Sequence, residues 1–123
     1  MEPLFIDRFE NWDDVVSDFG PTEDGRGKEV PTDVEPIIAY YTYEDYNGDA
    51  FVLYKQDGVY YEVNGTHCSC YGLENQWHPE EVVPEELANR PGIIYSWYGD
   101  DDDFNSRIRE RIQAEFPGLT RAA

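Results

Sequence analysis

From Phe9 onward, Phe9, Trp12, Val16 and Phe19 recur at spacings of three and four. That stripe predicts an amphipathic helix with Glu10, Asp13, Asp14 and Asp18 turned outward. Gly20 and Pro21 are its stop. Residues 20–36 hold Pro21, Gly25, Gly27 and Pro31 among charged side chains without any period, which reads as a long exposed loop. Loops of that length in a small domain tend to be mobile or functional.

The pattern then changes to β-branched and aromatic runs: Ile37 to Tyr43, Ala50 to Gln56 and Val59 to Asn64, each predicted as a strand. Asp57-Gly58 between the last two demands positive φ at both positions and predicts a two-residue type I′ hairpin. Its register pairs Gln56 with Val59, Tyr54 with Tyr61 and Val52 with Val63 on one face, the expected core face. Lys55 with Tyr60 and Leu53 with Glu62 fall on the other. Asn64-Gly65 repeats the turn chemistry, so Thr66 to Tyr71 is expected to return as a further strand. That register sets Val63 against Thr66 and Glu62 against His67, and turns Cys68 and Cys70 into the core.

Beyond a loop holding Trp77, Pro84-Glu85-Glu86-Leu87 places proline at a first helical position with acids in the first turn. Arg90-Pro91-Gly92 closes this short helix. Ile93 to Tyr98 reads as a last strand. A final helix follows, with Asp103 as N-cap, Phe104, Ile108, Ile112 and Phe116 as its stripe, and Pro117-Gly118 as its stop. The expected fold is α+β: a mostly antiparallel sheet of four or five strands, with the N-terminal and C-terminal helices packed on one face.

At 123 residues the chain has the size of one domain. Its 27 acidic against 9 basic side chains give a net charge of −18, which argues against direct binding to nucleic acid or to an anionic bilayer. The imbalance is uneven, since residues 1–104 hold 25 acids and 5 bases. The lysine-poor, arginine-rich usage also fits a GC-rich coding background or mild salt adaptation. Apolar residues at 40% argue against wholesale disorder. No run reaches the roughly 18 apolar residues of a membrane span. The opening Met1 to Asp7 lacks the basic start and long apolar core of a secretory signal, so a cytoplasmic location is expected. Cys68 and Cys70, two apart, cannot staple distant segments.

The most distinctive segment is Asn64-Gly65-Thr66-His67-Cys68-Ser69-Cys70-Tyr71-Gly72-Leu73-Glu74-Asn75-Gln76-Trp77, after Tyr61-Glu62-Val63. Over residues 46–81 the chain resembles small proteins of tailed phages and prophages that carry a Gly-[Ser/Thr]-His-Cys-Ser-Cys-Tyr-Gly-Leu-Glu-x-Gln-Trp signature. The resemblance implies a phage or prophage origin, hence the cytoplasm of an infected host cell, and brings no activity with it.

His67, Cys68, Cys70 and His78 are the residue types zinc prefers, but Cys-x-Cys on a strand is not the Cys-x₂₋₄-Cys wrap of a structural site. The bland reading is two buried thiols acting as apolar filler. A thiolate nucleophile at Cys68 or Cys70 with His67 as base and Glu62 orienting it meets two objections. Strand neighbours face opposite sides, and an acidic setting raises a thiol pKa. No cofactor is expected.

Asp13, Asp14 and Asp18, then Glu80, Glu81, Glu85 and Glu86, then Asp100-Asp101-Asp102-Asp103 are carboxylates that a rigid scaffold could present as a mimic of DNA phosphates. Plain solvation is the alternative. Tyr60, with Tyr40 or Tyr41, is a candidate contact surface for a protein partner. Together these lead to a non-enzymatic acidic phage protein that binds and inhibits a basic, nucleic-acid-handling or defence protein of the host. A zinc- or thiol-dependent enzyme centred on the His-Cys-Ser-Cys segment, and a minor virion component, are the alternatives.

Overall fold

The computed structural model describes residues 2–21, 28–42, 48–67, 72–74, 76–89 and 102–118, with the side chains of 102–105 excepted. Its elements are β1 (Leu4–Asp7), α1 (Trp12–Phe19), β2 (Glu35–Tyr41), β3 (Gly48–Gln56), β4 (Val59–His67), β5 (Glu80–Glu81), α2 (Pro84–Ala88) and α3 (Asp102–Glu115). The strands form one sheet in the order β1-β2-β3-β4-β5. β1 runs parallel to β2, and every other pairing is antiparallel. The fold is α+β with a mostly antiparallel five-stranded sheet, as the strand pattern predicts. No described helix is long and apolar enough to cross a membrane.

The Asp57-Gly58 hairpin forms as expected. Asp57 at φ 52° and Gly58 at φ 82° supply the two positive dihedrals, and the register pairs Gln56 with Val59, Lys55 with Tyr60, Tyr54 with Tyr61, Leu53 with Glu62 and Val52 with Val63.

The helix placement differs from expectation. Ile38, Tyr40, Phe51 and Leu53 pack with Leu87 and Ala88 of α2 and with Ile108, Ile112 and Phe116 near α3. The alternate residues Ala39, Tyr41, Ala50, Val52, Tyr54 and Val63 pack with Phe9, Val15 and Phe19. Strand neighbours point to opposite faces, so α1 lies on one face of the sheet while α2 and α3 lie on the other. There are two core faces rather than one. The near-continuous apolar runs of β2 and β3 are what strands buried on both sides look like. Between Pro36 and Ile38 the register shifts, and the bulge turns both Ile37 and Ile38 toward the α3 side.

In α1 the buried residues are Val15 and Phe19, and Val16 is only half-buried. Phe9 is buried ahead of the helix rather than within it. Full burial of Val15 and Phe19 stabilises by about 1.5–3 kcal/mol each, which holds a helix too short to persist alone. Asn11 caps it, its side-chain oxygen accepting the Asp14 N–H at 3.0 Å.

Residues 28–34 form a largely exposed loop, as expected, but it is tied to the fold: Val30 is buried, and the Trp12 indole Nε1 donates to the Pro31 carbonyl at 2.8 Å. α2 begins at Pro84, as the proline position predicts. α3 begins at Asp102, which puts Asp103 inside the first turn rather than at the N-cap. The expected strand over 93–98 and the stop at Arg90-Pro91-Gly92 lie outside the described residues.

Candidate functional site

The segment after Val63 does not turn at Asn64-Gly65. β4 runs straight through, pairing Phe51 with Asn64, Ala50 with Gly65, Asp49 with Thr66 and Gly48 with His67. The expected return strand therefore does not start at Thr66, and Val63 is not paired with Thr66. Gly65 is required for space rather than for backbone conformation. A Cβ there would lie 3.0 Å from Leu73 Cδ2 and 3.2 Å from Phe19 Cε1.

Gln76 then closes the excursion. Its Oε1 accepts the Thr66 N–H at 2.8 Å, while Nε2 donates to the Thr66 and Gly72 carbonyls, each at 2.6 Å. One side-chain amide thus gives Thr66 the donor and acceptor that a neighbouring strand would have supplied. Leu73 and Trp77 are buried in the α1-side core. Four residues of the signature, Gly65, Leu73, Gln76 and Trp77, serve the fold.

His67 ends β4 on the α1 side. Its Nδ1 lies 2.8 Å from the Tyr41 hydroxyl in a buried hydrogen bond. The Tyr41 ring spans from β2 across the glycine of β3 to reach it. A Cβ on Gly48 would collide with the Thr42 carbonyl and stand 3.4 Å from the Tyr41 ring. Glu62 lies five residues earlier, on the opposite face, buried and paired in register with Leu53 and Glu80. The expected Glu62–His67 cross-strand pair does not form, and with it goes the orienting carboxylate of the thiol mechanism.

Cys68, Cys70 and Tyr71 lie outside the described residues. His78 is exposed on the stretch leading to β5. Among the described residues no group of three or more His, Cys, Asp or Glu is placed to hold a metal ion. Asp49, an acid that patterning did not single out, is buried at the start of β3, where its carbonyl accepts the Thr42 N–H at 2.9 Å.

The acids divide into separate patches. Asp13 and Asp18 are exposed on α1. Asp14 is half-buried, and its carboxylate accepts the Glu10 N–H at 2.9 Å, so it fastens the helix start. Although Asp18 reaches solvent, partial burial of its carboxyl, then repulsion from Asp14, raises it above its ordinary range, partly offset by Arg8. Glu80 and Glu81 make up β5, and Glu85 and Glu86 stand in the first turn of α2. All four are exposed, and Val83 between them is 53% exposed. Asp102 opens α3, and Asp100 and Asp101 lie outside the described residues.

Tyr40 and Tyr41 are buried and offer no contact surface. Tyr60 is half-buried against α3: its hydroxyl donates to Glu115 at 2.7 Å, and its ring meets Phe116 edge-on at 4.7 Å. Burial and the Glu115 contact push the Tyr60 phenol up to about 12. Tyr61, assigned to the core by the strand pattern, is instead half-buried. Comparison with protein-family models, curated proteins and solved structures finds no match.

Proposed function

We propose that this chain is a binding protein that engages a basic, nucleic-acid-handling protein of its host, with exposed carboxylates supplying the attraction. The observation that carries the reading is the charge imbalance of −18, with Asp13, Asp18, Glu80, Glu81, Glu85 and Glu86 all exposed on ordered elements. Carboxylates held on a fixed scaffold present a polyanion that a DNA- or RNA-binding channel would accept in place of phosphates. The phage-like signature supports placing the partner in an infected cell, where inhibition of a defence protein is the use for such a surface.

Binding to a panel of basic nucleases and polymerases, measured by calorimetry across a salt series, tests this. Affinity is expected to fall steeply as salt rises. Affinities that stay flat across the series for every binder, or no binding at low salt, would overturn the reading.

A further inference from the structure

On the α1 face an aromatic stack runs to the surface. Tyr54 lies between Tyr61 and Trp77, with ring centres 5.5 Å away on either side and interplanar angles of 25° and 19°. Trp12 closes on Tyr54 at 5.7 Å and on Trp77 at 6.2 Å. The middle members, Tyr54 and Trp77, are buried. The outer two, Tyr61 and Trp12, are half-exposed, and the indole hydrogen bond to Pro31 holds the Trp12 ring in place.

Glu81 pairs directly with Tyr61 in the β4–β5 ladder, so its carboxylate leaves the sheet on the same face, with Cβ atoms about 5 Å apart. A half-exposed ring with a carboxylate paired beside it makes a setting for a cation, and a planar, weakly hydrated guanidinium fits it better than a compact ammonium. On the other face of β4 the chain makes such a contact within itself, with Lys55 Nζ 5.3 Å from the Tyr60 ring centre.

We infer that Tyr61, backed by the Tyr54–Trp77 stack and paired in register with Glu81, is a ledge on which an arginine side chain of the basic partner docks. The inference rests on the charge-driven reading above and adds the residue type that is read.

The probes are an oligoarginine peptide and an oligolysine peptide of equal length, titrated at low salt into the full chain by calorimetry and by amide and indole NMR. Oligoarginine is expected to bind about two- to fivefold more tightly than oligolysine, with shifts centred on the Tyr61 and Glu81 amides. Tyr61→Leu removes the preference and Tyr61→Phe keeps it. Glu81→Gln weakens oligoarginine more than Asp57→Asn, which removes the same charge at the hairpin tip, and this comparison holds even where Tyr61→Leu fails to fold. Equal affinities for the two peptides, with shifts elsewhere on the acidic surface, would overturn the ledge and leave the charge-driven reading standing. No binding of either peptide at low salt would overturn both.

Discussion

Replacing Gly65 by alanine separates two physical explanations of the same residue. Read as part of an Asn64-Gly65 turn, glycine would be there for positive φ. In the structure it sits mid-strand opposite Ala50, with Leu73 and Phe19 packed where a side chain would go. The added methyl would stand 3.0 Å from Leu73 Cδ2, 3.2 Å from Phe19 Cε1 and 3.4 Å from Gln76 Oε1. Overpacking of this kind costs about 1–3 kcal/mol. Against it stands about 0.4–1 kcal/mol gained because alanine has fewer unfolded conformations to lose.

The net expectation is a loss of about 1.5 kcal/mol, a fall in Tm of about 4–8 °C for a chain of this size. Leu73→Val alone creates a small void and costs about 0.5–1.5 kcal/mol. Since the clash is with the atoms that valine removes, the double variant should be more stable than the sum of the two losses by about 0.5–1 kcal/mol. Urea unfolding followed by far-ultraviolet circular dichroism gives the four stabilities. Simple additivity, or an alanine variant as stable as the parent, would refute the steric account, because strain at positive φ is indifferent to Leu73.

Gln76→Ala should destabilise by about 1 kcal/mol and speed hydrogen exchange at the Thr66 amide, and an unchanged exchange rate would show that the amide clamp does not hold β4. Tyr54 and Tyr60 are both pushed up to about 12. The unfolded chain releases these protons near the ordinary tyrosine value while the folded chain keeps them, so their contribution is intact below about pH 10. It should be lost as pH rises toward 12, which phenolate absorbance and ellipticity would follow together, and Tyr60→Phe should soften that alkaline loss. Asp18, raised by burial and by Asp14, opposes folding at neutral pH and less so as pH falls through its folded value. Asp18→Asn should therefore raise Tm slightly at neutral pH, with the gain vanishing in acid.

The hairpin was legible in the sequence because Asp57-Gly58 admits little else, and with it the register of β3 and β4 follows residue by residue. β1 was not. Leu4 to Asp7 is too short to show a period, and its strand character comes from parallel pairing with β2, a long-range contact. The same local rule that succeeded at Asp57-Gly58 failed at Asn64-Gly65, where glycine answers to Leu73 and Phe19 across the fold. Placing both helices on one face followed from treating the Tyr54–Tyr61 face as the only core. The correcting signal was present in Ala50 to Tyr54, five consecutive residues buried on both sides, which alternation cannot explain. Tyr60 and Tyr61 changed roles for the same reason: with a core on each face, Tyr60 packs against one and Tyr61 against the other, and both are half-buried.

A sheet covered on both faces has consequences for how such a chain can meet a partner. Its central strands are closed off, and among the described residues the single exposed large apolar side chain is Val83. Association falls to the sheet rim and the outer faces of the helices, where exposed carboxylates let long-range charge set the encounter. Exposed Glu81 pairs in register with half-exposed Tyr61, the outer member of the Tyr61, Tyr54 and Trp77 stack. Charge alone would draw in any cation with little discrimination. Arginine selectivity requires a ring held in position, and Tyr61 is held by Tyr54, which is in turn packed on Trp77. A substitution at Tyr54 that keeps the fold but loosens the stack should therefore reduce the preference for arginine without changing the salt dependence of binding. An altered salt slope with the preference intact would place the contact elsewhere on the rim.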